Sequence, residues 1–82
     1  MVSTGPAYSV TIRAEYDNSP GMLGKITTCI GDRGGDMAGI DVISATDKKM
    51  VRDLTVYASG LEHTQEIIDS VRSINGVDIR SV

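Results

Sequence analysis

Asp17-Asn18-Ser19-Pro20-Gly21 is the stretch at which the chain turns from a strand into a helix. Asn18 and Ser19 are favoured helix N-caps, and Pro20 suits the first helical position, where its missing N–H has no intrahelical partner to lose. Behind it, the amides of Gly21, Met22 and Leu23 lack helical partners and face the positive end of the macrodipole, a place for a carboxylate or phosphate. The same residues also describe an ordinary capped helix start.

Upstream, Tyr8, Val10, Ile12, Ala14 and Tyr16 alternate with Ser9, Thr11, Arg13 and Glu15, which predicts a strand with one buried face. Met1 to Ala7, with Gly5-Pro6, reads as a flexible lead-in. Downstream, Leu23, Ile26 and Ile30 recur at helical spacing with Met22 and Cys29 beside them, and Gly34-Gly35 supplies the stop. Gly24 and Gly31 lie inside this helix, where each costs about 1 kcal/mol relative to Ala. With Thr27 and Thr28 they form a strip of small residues, open to a partner helix or simply tolerated at the surface.

Asp36 to Thr46 and Met50 to Ala58 predict two further strands joined at Asp47-Lys48-Lys49, with both lysines in a solvated turn. In the latter strand Leu54, Val56 and Ala58 share one face, and Val51, Asp53, Thr55 and Tyr57 the other. Glu62 to Ile74 predicts a second helix with Thr64, Ile67, Val71 and Ile74 on one face and Asn75-Gly76 as the stop. His63, at its positive end and without neighbouring ligands, reads as solvated, and Cys29 as a small core residue. Val77 to Val82 closes the chain as a strand, with Val77 and Ile79 inward.

The fold class expected is α+β, a ferredoxin-like βαββαβ sandwich: a four-stranded antiparallel sheet with two helices on one face. Right-handed crossovers put the first and third strands at the centre, read as parallel to each other, with the second and fourth as edges. The open face would then carry Ile43, Val51, Thr55 and Tyr57 as an apolar-to-mixed partner surface.

Bulk composition narrows the partners. The 82 residues make one small domain, expected to bury about 60–65% of its unfolded surface and to profit from dimerisation. A net charge of −3 without a basic run disfavours nucleic acid and anionic membranes. One cysteine and one histidine allow no intramolecular disulfide and no zinc set. The absence of a signal-like start or a long apolar run leads to the expectation of a cytoplasmic protein.

From Tyr8 to Val82 the chain resembles an ACT domain, a small regulatory module found beside many metabolic enzymes. The resemblance rests on Tyr8-Ser9-Val10-Thr11-Ile12, Asn18-Ser19-Pro20-Gly21-Met22-Leu23 and Gly34-Gly35-Asp36-Met37-Ala38-Gly39-Ile40, in that spacing. Pro20 to Thr27, Gly34-Gly35-Asp36 with Ile40-Asp41, and Val51 to Val56 are similar to the ACT domain that precedes the catalytic region in some bacterial NAD-dependent malic enzymes. That likeness implies a fragment of a longer polypeptide, non-catalytic itself, with NAD and a divalent metal belonging to an absent catalytic region.

The family commonly binds effectors such as amino acids between two ACT domains. Carried over, Asp17, Asn18, Ser19, Gly21, Met22 and Leu23 form one side, and Asp36, Met37, Ala38 and Gly39 of a neighbour the other. Amides and Asn18 would hold a carboxylate, while Asp17 or Asp36 would take an ammonium. Serine-binding members tend to have His two positions before the Asn and Asn at the start of the second strand; Tyr16 and Asp36 stand there instead, leaving the effector open. The expectation is a regulatory domain working as a homodimer or higher ACT assembly, with a pure assembly module as the alternative. Catalysis is disfavoured, because the Arg-bearing phosphate loop of acylphosphatases of this fold is missing; the cysteine pair of its metal carriers and the strand aromatics of its RNA-binding members are missing too.

Overall fold

The computed structural model describes residues 5–82. Six elements follow in order: β1 Gly5–Asp17, α1 Met22–Asp32, β2 Asp36–Ala45, β3 Lys49–Ala58, α2 Leu61–Arg72 and β4 Val77–Ser81. They form a four-stranded sheet in the order β2-β3-β1-β4. Part of the expected lead-in, Met1 to Thr4, lies outside the described residues, whereas the backbone from Gly5 belongs to β1 and pairs with Ala58 beyond a register shift.

The central pair β1 and β3 runs antiparallel, as do β1–β4 and β2–β3, which corrects the parallel expectation for the centre. Each helix crossover skips one strand, joining β1 to β2 across β3 and β3 to β4 across β1. The parallel relation therefore falls on next-nearest strands and never on neighbours.

Alternation in β1 and β3 decides the core. Ile12, Ala14, Leu54, Val56 and Ala58 are fully buried on the helix-facing side, against Ile26 and Ile30 of α1 and Ile67 and Val71 of α2. Ile74 falls beyond α2 yet still packs on this core, as do Leu23, Met37, Val77 and Ile79. Cys29 is half-buried outside the cluster, correcting its placement in the core: it lies on the outer flank of α1, in a groove of about 620 Å³ with Gly24, Lys25, Thr28, Asp32 and Arg33.

Gly34 and Gly35 end α1 for two separate reasons. Gly34 adopts φ +78°, and its amide and that of Gly35 donate to the carbonyls of Gly31 and Ile30 at 2.9 and 3.0 Å. Gly35 has no room for a side chain, since a Cβ there would lie 2.7 Å from Ile30 Cγ2 and 3.0 Å from Val56 Cγ1. At Gly24 and Gly31 a Cβ would meet nothing within 4 Å, so no neighbour in the single chain requires glycine at either position.

His63 is buried, not solvated. The Ser59 amide donates to its Nδ1 at 2.9 Å, which leaves Nε2 as the N–H that donates to the Arg33 carbonyl. The ring thereby ties the end of α1 to the start of α2. Its spacing ahead of Ile67 and Val71 puts it on the buried stripe of α2, a signal already present in the sequence.

Candidate functional site

The turn between β1 and α1 is built differently from a capped start. Neither Asn18 nor Ser19 caps α1; the N-cap is Gly21, at φ +88° and without a side-chain hydrogen bond. Among the first-turn amides, Met22 reaches the Ser19 carbonyl at 3.4 Å, and the regular ladder begins with Lys25 donating to the Gly21 carbonyl at 3.0 Å. Asn18 is turned away from the helix. Its Nδ2 donates to the Thr46 carbonyl at 2.7 Å and its amide to the Lys48 carbonyl at 3.0 Å, fastening the turn to the β2–β3 loop. Thr46 closes that loop, its Oγ1 accepting from the amides of Lys48 and Lys49.

Asp17 is also engaged, accepting from Lys49 Nζ at 2.9 Å. Lys49 belongs to β3 rather than to a free turn, and its ammonium pKa is raised, first by that hydrogen bond and then by the Asp17 charge. Both groups are more than half exposed, so the pair orders the sheet's end without adding much stability.

Asp36, Met37, Ala38 and Gly39 lie far from this turn within one chain. Asp36 pairs with Tyr57 of β3 and Asp17 with Lys49, eight residues apart along that strand, about 27 Å at the antiparallel rise. The chain brings together Asp17 to Leu23 and separates them from Asp36 to Gly39. The strand carrying the latter, β2, is an edge whose Ile40, Val42 and Ile43 are 42–56% exposed.

On the open face the expected apolar patch is broken by ion pairs. Val51, Thr55 and Tyr57 are half-buried and Ile43 exposed, but Arg13 grips Asp53 with two hydrogen bonds of 2.8 and 3.0 Å. The Asp53 carboxyl is held below its ordinary range, chiefly by that hydrogen bond; desolvation opposes this and the guanidinium charge reinforces it. Glu15 and Arg80 pair at 3.0 Å, and Thr11 and Thr55 at 3.3 Å. Arg13 and Asp53, and Thr11 and Thr55, sit at facing register positions, whereas Arg80 lies at the β1–β4 register shift, Glu15 itself facing Asp78; spacing in the sequence alone discloses neither. Arg52 points to the other face and donates to Tyr16 Oη at 2.7 Å. Among the described residues no group of three or more His, Cys, Asp or Glu is placed to hold a metal, and no helix is long and apolar enough to cross a membrane.

A βαββαβ sandwich with its glycine turn at the end of a central strand defines the class. The ACT domain family model matches residues 4–79, and the chain belongs to that family, whose fold is regulatory and not catalytic. Among its relatives are two malic enzymes. It is 38% identical over 78 residues to the NAD-dependent malic enzyme of Geobacillus stearothermophilus, covering 95% of this chain and 16% of that protein. It is 30% identical over 73 residues to NAD-dependent malic enzyme 1 of Bacillus subtilis (strain 168), covering 88% of this chain and 17% of that protein. The chain thus spans about a sixth of the length of these relatives. In fold it is similar to the crystal structure of the ACT domain from GTP pyrophosphokinase of Chlorobium tepidum, with a TM-score of 0.72 at 20% identity over 93% of this chain and 94% of that one.

Proposed function

We propose that this chain is a ligand-sensing regulatory module that works as a dimer and modulates a catalytic region of the malic-enzyme type, to which NAD and a divalent metal would belong. The observation that carries this reading is the separation of Asp17–Leu23 from Asp36–Gly39 along the sheet, together with the exposed β2 edge. An edge strand presents unpaired backbone groups that a second copy can meet. Antiparallel β2–β2 pairing about a two-fold axis reverses one strand against the other. The start of one β2 then lies beside the end of the other, where Thr46 holds Asn18 and the turn. Each effector site would be made by two subunits.

Solution mass combined with a thermal-shift panel of amino acids and small carboxylic acids tests the reading. The expected result is a dimer that one class of compound stabilises, by about 2.7 kcal/mol at a hundred times its Kd. A monomer, or a dimer that no compound in the panel stabilises, counts against sensing.

A second reading, a pure assembly module without a metabolite, is favoured by one observation. Asn18 Nδ2 and Asp17 Oδ1 are already engaged inside the chain. A dimer indifferent to the whole panel selects it.

A further inference from the structure

Arg52 differs from every other cation among the described residues. Arg13, Lys49, Arg72 and Arg80 each lie within 4 Å of a carboxylate, and Lys25, Arg33 and Lys48 are exposed to solvent. Arg52 is half-buried and has no carboxylate partner. Its Nε is pinned 2.7 Å from the hydroxyl of Tyr16, which is only 3% exposed. Four of the five guanidinium N–H groups are left for another acceptor, in an orientation fixed beforehand.

Among the described residues no carboxylate lies within 4 Å of Arg52. Arg52 pairs in register with Ala14 and Val42 and shares the helix-facing side with Met37, Ile40 and Val42 of the β2 edge, all uncharged. The β2 carboxylates, Asp36 and Asp41, pair with Tyr57 and Asp53 and belong to the open face. A second copy joined edge to edge by antiparallel β2 strands keeps its helices on the same side. The β2 strand of that copy would carry the same uncharged residues, Met37, Ile40 and Val42, on this side.

We propose that Arg52, positioned by Tyr16, is the anion anchor of the effector site, and that the effector is a small carboxylic acid of net negative charge, not a zwitterionic amino acid. This rests on the sensing reading above and narrows it. Asp17, the acidic residue of the turn, is already neutralised by Lys49, so the turn offers no free anion for an ammonium group, while Arg52, three residues along β3 from Lys49, is a cation without an acid partner. The guanidinium fork meets a carboxylate through two parallel hydrogen bonds.

Titration calorimetry on the wild-type chain with succinate, L-alanine and inorganic phosphate tests the proposal. Succinate should bind and L-alanine should not, with Arg52→Gln weakening succinate about tenfold or more. Tyr16→Phe, which keeps the charge but frees it, should weaken succinate less, and it serves as the informative variant if Arg52→Gln fails to fold. Lys25→Gln, an exposed cation on α1, should leave binding unchanged. Binding of L-alanine equal in wild type and Arg52→Gln overturns the anchor while leaving sensing intact. Phosphate binding in place of succinate overturns the carboxylic-acid assignment. A wild-type dimer that binds none of the three, nor any compound of the wider panel, overturns both readings.

Discussion

Asn18 Nδ2 donates to the carbonyl of Thr46 at 2.7 Å, so the turn that starts α1 is held by the loop that joins β2 to β3. Asn18→Ala should lower stability by about 1 kcal/mol, the net worth of one such hydrogen bond, or about 4–8 °C in melting temperature for a domain of this size. Calorimetric melting checks it. Ser19→Ala should leave the melt nearly unchanged, because Ser19 makes no cap; a loss equal to that of Asn18→Ala would restore Ser19 as the cap.

Gly21→Ala forces a side chain to φ +88° with open space around it, so the expected loss of about 1–2 kcal/mol is backbone strain alone. Gly35→Ala pushes a methyl group against Ile30 and Val56 and should lose about 1–3 kcal/mol through overpacking. Gly24→Ala and Gly31→Ala should each stabilise the single chain by about 0.5–1 kcal/mol, since helix propensity improves and nothing is displaced. Urea unfolding of the four variants distinguishes these outcomes by sign.

His63→Leu removes a bridge between the helices, leaving the Ser59 amide and the Arg33 carbonyl without the ring that joins them. A loss of about 1–3 kcal/mol is expected from the unmet polar groups. Hydrogen exchange gives a more local readout: protection should fall first at the last turn of α1 and the first turn of α2. Uniform loss across the sheet would contradict the bridging role.

Acid stability should depend on Asp53. Its folded pKa lies below the ordinary value of 3.8, so the folded state binds fewer protons there than the unfolded state, and stability rises with pH through that range. The contribution is fully present above 3.8 and is lost as pH falls through the folded value. Melting temperatures measured from about pH 5 down to about pH 2 should drop less steeply in Asp53→Asn than in the wild type. Equal slopes would remove Asp53 from the acid transition.

The sequence by itself determined the order of elements and the core. Alternation in Val10–Tyr16 and Met50–Ala58 and helical spacing around Ile26, Ile30, Ile67 and Val71 each follow a period that one chain segment carries alone, whereas Tyr8, expected on the buried face, lies at the β1–β3 register shift and is 49% exposed. The ends of the helices were less legible. Pro20 marked the start of α1 to within two residues, but the side chain of Asn18 had a distant competitor in Thr46 that no local rule contains. The tertiary structure alone decided the pairings: Asp17 with Lys49, Arg13 with Asp53, His63 with Arg33, and Arg52 with Tyr16 but no acid. Each joins residues 30 or more apart in sequence, so it exists only once strand register and helix packing bring the two together. For the same reason the two stretches of the candidate site, Asp17–Leu23 and Asp36–Gly39, stand at opposite ends of this sheet, because β2 runs parallel to β1 across β3.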